Sequence, residues 1–170
     1  MKFRKSLKSD INKIMNIINQ AQEYFKENNI DQWQNNYPNP EVINADIDNG
    51  YSYVVMKDND IVATAAVSFD SENTYNKIYD GEWLSNGEYA VIHRIAVKSN
   101  KKGSGISSLI IRNVEELCLK KNVYSIKIDT HKDNISMKKL LKKNGFKYCG
   151  IIYLEDGNER IAFEKVIERN

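Results

Sequence analysis

The stretch IHRIAVKSNKKGSGISSLIIRNVEEL, Ile92 to Leu117, decides the fold. An apolar, β-branched segment ending in Ile95, Ala96 and Val97 breaks into a loop of lysine and glycine, which then opens into a helical pattern. In that loop, Lys101, Lys102, Gly103, Ser104 and Gly105 form a backbone that a ligand can approach closely, because glycine lacks Cβ and tolerates positive φ. A helix opening at about Ser104 aims unpaired N–H groups and the positive end of its dipole at the same place. A polyphosphate fits such a cradle.

Ile106, Ile110, Val114, Leu117 and Cys118 recur at helical spacing, which predicts a helix over Ser104 to Lys121. Flanked by strands from Glu88 to Val97 and from Tyr124 to Asp129, it makes a right-handed βαβ unit with parallel strands. A helix over Asn134 to Asn144 follows, with Met137, Leu140 and Leu141 on its buried side and Gly145 placed as its terminating residue. Phe146 to Leu154 and Arg160 to Val166 read as a closing hairpin. Before the central unit the pattern predicts a short strand from Phe3 to Lys5. A helix over Ser9 to Asn28 comes next, its core stripe formed by Ile11, Ile14, Met15, Ile18, Ala21 and Phe25. A polar loop from Asn29 to Pro40 leads to a second helix over Glu41 to Asn49. Strands from Tyr51 to Met56 and Ile61 to Phe69 then pair about a turn at Lys57 to Asp60. An acidic and aromatic insert runs from Asp70 to Gly87. The sum is an α/β (α+β) fold, a mixed sheet of about seven strands with helices on both faces, in a single domain spanning residues 1–170.

Composition narrows the class. A hydrophobic fraction of 41% with 28% charged residues is that of a water-soluble globular protein, and no apolar run reaches the ~18 residues of a membrane span. The N-terminal MKFRKSLKSD has no apolar core of the kind that directs secretion. A net charge of +2 does not argue for a nucleic-acid partner. Cys118 and Cys149 sit among apolar neighbours without metal-ligand spacing, so they read as reduced core thiols of a cytoplasmic protein. No metal is expected.

Two blocks of the chain resemble the GCN5-related N-acetyltransferase (GNAT) superfamily. The first is NKKGSG, Asn100 to Gly105, after Ile95 to Val97; the family's motif has glutamine or arginine, two residues, Gly, one residue, then Gly or Ala. Asn100 departs from that pattern while both glycines are kept. The second is DTHKDNISMKKLLKKNGF, Asp129 to Phe146, in which Asn134 and Gly145-Phe146 fall on the family's asparagine and Gly-Phe positions. The resemblance implies acetyl-coenzyme A as cosubstrate. Its pantetheine arm would lie along Ile95, Ala96 and Val97 against a second wall from Tyr124 to Asp129. The pyrophosphate would rest on Lys102, Gly103, Ser104, Gly105 and Ile106, with Asn134 on the arm and Lys98, Lys101 and Lys102 supplying cations.

Transfer to an amine needs a neutral nitrogen, and neutralising an alkyl amine of pKa ~10.4 at pH 7 costs about 4 to 5 kcal/mol, so a base in reach is valuable. His93 is the first candidate, the one histidine on the cofactor strand and, two residues before Ile95, expected to share its sheet face. The HRIAV stretch is similar to that of arylalkylamine N-acetyltransferases, which implies a proton relay through His93. Glu88 is the alternative base, and a packed or salt-linked His93 is the plainer reading. Many family members protonate the leaving thiolate with a tyrosine; the matching place here is Leu141, which leaves Tyr153 or Tyr124 as substitutes or no acid at all. His131 is expected to bond local backbone at its strand-to-helix turn. Trp33, Tyr37, Tyr79 and Trp83, with Tyr75 and the carboxylates Asp70, Glu72, Asp80 and Glu82, predict an acidic, aromatic rim suited to a cationic small-molecule amine. A solvated loop with a few packed aromatics is the alternative. The expected enzyme is a monomer or homodimer. Two rival functions fit parts of the pattern: a coenzyme A sensor without activity, and a dinucleotide-dependent oxidoreductase suggested by GSGISS and Asp129.

Overall fold

The computed structural model describes residues 1–169. In chain order the elements are β1 (Lys2–Lys5), α1 (Ile11–Glu27), α2 (Pro40–Asp48), β2 (Ser52–Lys57), β3 (Asp60–Ser68), β4 (Ala90–Val97), α3 (Ile106–Lys120), β5 (Ser125–Thr130), α4 (Ile135–Lys143), β6 (Lys147–Tyr153) and β7 (Glu159–Val166). Among the described residues the strands form one seven-stranded mixed sheet in the order β1-β2-β3-β4-β5-β7-β6. β4 and β5 are the parallel pair, registered through Ala90↔Ile126 and Val91↔Lys127, and α3 is their crossover helix. The expected fold class and element order are those observed. Element boundaries shift by one or two residues, and two of the shifts bear on candidate residues: Glu88 precedes β4 instead of lying within it, and Asn134 caps α4 from outside.

The chain divides into two compact units: one holds Met1–Val67 with His93–Asn113, the other Ser68–Ile92 with the residues from Val114 on. In the first unit, Ile14, Ile17 and Ile18 of α1 lie at three- and four-residue spacing and bury almost completely with Ile43, Val54, Ile61 and Ala96. Each such isoleucine contributes about 1.5 to 3 kcal/mol by leaving water. Asn39 caps α2 by accepting the Val42 N–H at 3.0 Å, and Pro40 supplies a pre-set first turn. The β2–β3 hairpin turns on Asp58 and Asn59, both at positive φ (50° and 62°), the pair of dihedrals that a two-residue turn needs to match strand twist.

The second unit holds the β5–β7–β6 ladder and a small core of Tyr75, Val91, Ile152 and Ala162. α4 ends in the hydrogen-bond pair of a glycine stop: Gly145 N–H on Lys142 and Phe146 N–H on Leu141, with Gly145 at φ 85°. No helix among the described residues is long and apolar enough to cross a membrane.

The insert does not stand off in solvent as an open rim. Tyr79 and Ile151 exchange both backbone hydrogen bonds, at 2.8 and 2.7 Å, so the insert adds itself to the edge of β6. Tyr75 is 3% exposed and donates to Asp129 at 2.6 Å, while the Trp83 indole N–H donates to the Tyr75 carbonyl at 2.9 Å. The acid-rich composition of this segment masked an inward aromatic set.

Candidate functional site

At the end of β4 the Lys98 N–H donates to the Val62 carbonyl (2.8 Å), and Ser99 gives both its N–H and its hydroxyl to the Gln20 amide oxygen. The chain leaves this anchored point through a single 3-10 turn, Ser99–Lys101, and enters the exposed loop 102–105. Gly103 and Gly105 have φ of 79° and 82°, a region that side-chain-bearing residues enter at about 1 to 2 kcal/mol. A Cβ built on either would meet no protein atom within 4 Å. The glycines are therefore demanded by backbone shape, and the space beside them is open. Gly105 accepts the first helical bond from Leu109 at 3.0 Å, so the amides between them stand at the helix start, where no intrahelical acceptor exists. Open space beside two glycines at a helix N-terminus suits a pyrophosphate, and the residues fit it. The Lys102 ammonium lies 3.9 Å from the Tyr24 ring centroid. Lys98 is already engaged, bonding Asp60 at 2.7 Å, and this contact holds the Asp60 carboxyl below the usual carboxylate range.

His93 is half-buried on β4, as are Ile95 and Val97, while Ala96 turns into the α1–α2 core. Between His93 and Ile95 stands a residue that the sequence did not flag: Arg94, at φ 51° in the middle of a strand. A left-handed residue interrupts the two-residue alternation, so the shared face expected for His93 and Ile95 does not follow from spacing alone. The Arg94 guanidinium grips the Asp46 carboxylate of α2 with Nε on Oδ2 and Nη2 on Oδ1, both at 2.7 Å. Its Nη1 donates to the Tyr37 hydroxyl at 3.0 Å. The side chains of Arg94 and Asp46 are 16% and 8% exposed. Burial opposes the guanidinium charge, but Asp46 and Tyr37 outweigh it and raise the Arg94 pKa. Tyr37 is thus tied to β4, and Trp33 packs edge-on against Phe25 (centroids 5.6 Å) and the α1 core.

In the second unit Asn134 is 4% exposed and its Oδ1 accepts the Met137 N–H at 3.2 Å, as the cap of α4. Leu141 is fully buried. The His131 ring nitrogen accepts the Asp133 N–H at 3.1 Å, the local backbone role expected of it. Glu88 is exposed ahead of β4. Tyr153 lies on edge strand β6, with β7 and β5 between it and β4 in the sheet, and its ring stacks edge-on against Tyr79 at 5.3 Å.

Trp83 has a partner of its own. The Lys127 ammonium sits 4.3 Å from the Trp83 centroid and 4.1 Å from that of Tyr89, and Lys127 is only 4% exposed. Burial lowers the Lys127 pKa, partly offset by Glu164, its register partner across β5–β7. Glu164, 0% exposed, accepts from the Leu84 N–H (2.8 Å), the Ser125 hydroxyl (2.7 Å) and the Ser85 hydroxyl. This buried acid–base cluster, which sequence reading missed, nails the insert to the sheet. One face of the Trp83 ring, a residue expected at the acceptor rim, receives this internal cation.

The acetyltransferase (GNAT) family model matches residues 14–146. A GNAT-family acetyltransferase from Streptococcus agalactiae superposes with a TM-score of 0.90 at 33% identity, covering 99% of this chain and 96% of that one. An acetyltransferase from Staphylococcus aureus gives 0.74 at 24% identity over 99% and 100% of the two chains. The PaiA N-acetyltransferase of Thermoplasma acidophilum, solved in complex with coenzyme A, gives 0.72 at 15% identity over 97% and 98%. No curated protein matches the chain.

Proposed function

Since the chain belongs to the GNAT acetyltransferase family, we propose that it moves an acetyl group from acetyl-coenzyme A to a primary amine by direct attack in a ternary complex. The observation that carries this reading is the loop before α3, where two glycines at positive φ border open space at a helix start. Lys102, Gly103, Ser104, Gly105 and Ile106 hold the pyrophosphate, Lys101 adds charge, and the backbone of Ile95, Ala96 and Val97 bonds the pantetheine arm. Asn134, whose oxygen caps α4, stands at the family's position for a contact with that arm. Bound acetyl-coenzyme A supplies the thioester. The amine nitrogen forms the new N–C bond as the C–S bond breaks, one amine proton leaves to a base, and the thiolate is protonated from solvent or a nearby acid.

Of the three catalytic candidates, His93 is preferred as base because it alone lies within the cofactor strand; Glu88 and Tyr153 lie outside β4. Loss of a dedicated acid at Leu141 slows and does not abolish transfer, since a thiol of pKa ~8.5 is a tolerable leaving group. Tyr37 and Tyr79, both exposed, are the stronger acceptor contacts; Trp33 and Trp83 shape the walls behind them. The two free, buried cysteines suit a reducing cytoplasm.

The test is release of free thiol from acetyl-coenzyme A against a panel of amines, with coenzyme A binding measured in parallel. Turnover on at least one amine is expected, and Gly103→Glu or Gly105→Glu in folded protein abolishes binding through charge and bulk. Unchanged affinity in those variants overturns the assignment. Saturable binding without turnover on any amine favours a coenzyme A sensor, the reading that the buried Leu141 supports.

A further inference from the structure

We propose that Arg94 is a positioning residue for acetyl transfer: its clamp on Asp46 and Tyr37 holds the left-handed kink in β4 that aims the following backbone amides. The inference rests on the proposed reaction and gives a part in it to a residue of the HRIAV stretch that the sequence alone assigned no role.

Arg94 is a backbone outlier. A long, β-carbon-bearing side chain at φ 51° inside a strand is disfavoured by sterics, and such a conformation persists only where its surroundings over-determine it. Here they do so with three hydrogen bonds to one guanidinium, two of them a parallel pair to a carboxylate that is itself almost fully buried. The planar fork leaves the Arg94 side chain, and with it the backbone of residue 94, little freedom to return to a regular strand. What the kink changes is the direction of the amides and carbonyls of residues 95–97, the same segment whose backbone is proposed to bond the pantetheine arm.

The clamp has a second consequence. Asp46 belongs to α2 and Tyr37 to the loop that leads into it, so one side chain fixes the cofactor strand and an exposed aromatic of the acceptor side in a common frame. Lysine at 94 retains the charge and loses the fork, and so separates positioning from electrostatics. The pyrophosphate loop is untouched by the change, which leaves most of the cofactor's anchorage in place.

The experiment compares wild type with Arg94→Lys and Tyr37→Phe by backbone hydrogen exchange, coenzyme A affinity and steady-state kinetics. In Arg94→Lys, exchange of residues 95–97 and of the 28–39 loop accelerates about tenfold or more, and kcat falls roughly 10- to 100-fold while coenzyme A affinity changes less than about threefold. Tyr37→Phe, which removes one exposed hydroxyl and leaves the Asp46 pair, accelerates exchange in the loop only and raises the acceptor KM with kcat kept. Wild-type exchange at 95–97 in folded Arg94→Lys overturns the proposal, as does a lowered melting temperature with kcat unaltered well below it. The exchange arm needs no substrate: if wild type binds no coenzyme A, the functional reading fails, while the clamp is still judged by exchange.

Discussion

Replacing Glu164 by glutamine tests whether the insert is a built wall or a solvent loop. The carboxylate is fully buried and accepts from the Leu84 N–H, the Ser85 hydroxyl and the Ser125 hydroxyl. Glutamine can keep its oxygen on Leu84 and turn its N–H2 toward the two hydroxyls, which are able to accept, so the hydrogen-bond loss is about 1 kcal/mol. The larger cost is electrostatic, because Lys127, 4% exposed and aligned with Glu164 across the ladder, loses its compensating charge. Leaving a buried partner alone costs up to about 3 to 5 kcal/mol, reduced here by the two aromatic faces around the ammonium and by its option to shed a proton. Together these give about 2 to 4 kcal/mol, which in a domain of this size lowers the melting temperature by roughly 4 to 16 °C. Thermal unfolding followed by circular dichroism reads it directly. The double variant with Lys127→Met should recover about 1 to 3 kcal/mol relative to the sum of the single changes. A Glu164→Gln protein that melts within about 1 °C of wild type refutes the reasoning, since surface substitutions do no more than that.

Burial pushes the Cys118 thiol up to about 12 and raises that of Cys149, so neither reacts with a thiol reagent in native protein at pH 8, while both do after denaturation. Rapid labelling of the native state would contradict this. The Arg4 guanidinium, bonded at 2.8 Å, together with the Leu7 N–H, holds Asp10 below the usual carboxylate range. A depressed folded pKa gives stability that is present above the unfolded value near ~3.9 and lost as pH falls through the folded one. The melting deficit of Asp10→Asn should therefore be full at pH 7 and shrink below about pH 4; an equal deficit at both sinks the pair as its cause. His93→Ala should lower turnover most where the acceptor is protonated and recover as pH nears the amine's ~10.4, and a pH–rate profile of unchanged shape leaves His93 a structural residue.

What the sequence disclosed, it disclosed through local chemistry. Gly103 and Gly105 read as a phosphate cradle because only glycine sits easily at their φ values, and the Gly145 stop and the Asp58-Asn59 turn are equally local devices. Arg94 was hidden because His93-Arg94-Ile95 reads as ordinary strand; its conformation is dictated by Asp46, 48 residues away. Glu164 was hidden for a like reason. A glutamate alternating with apolar residues on a terminal hairpin has the pattern of a solvent-facing position, and its burial depends on Leu84, 80 residues earlier. A usable signal did exist, in that Ser125, Lys127 and Asp129 put three polar side chains on one face of β5 beside an insert rich in aromatics. Matching those two segments would have turned the insert inward.

That inward turn alters how acceptor choice is to be understood. The insert has divided its residues by chemistry: Tyr75 and Trp83, joined by Tyr89 just beyond it, face the sheet, where they serve Asp129 and Lys127, while Asp70, Asp80 and Glu82 stay exposed. Cation–π attraction, the part of the rim hypothesis that depended on Trp83, is already used within the protein on one face of that ring. The exposed carboxylates act by Coulomb attraction alone, which in water is weak at any one contact and screened within about 8 Å at physiological salt. Such a surface raises the local concentration of a cationic amine and its rate of encounter, and it does little to choose among amines. Discrimination then falls to groups held in fixed geometry. Each unit holds one exposed aromatic in fixed geometry: in the first the Tyr37 hydroxyl is pinned by the largely buried Arg94 side chain, and in the second the Tyr79 backbone is pinned to β6.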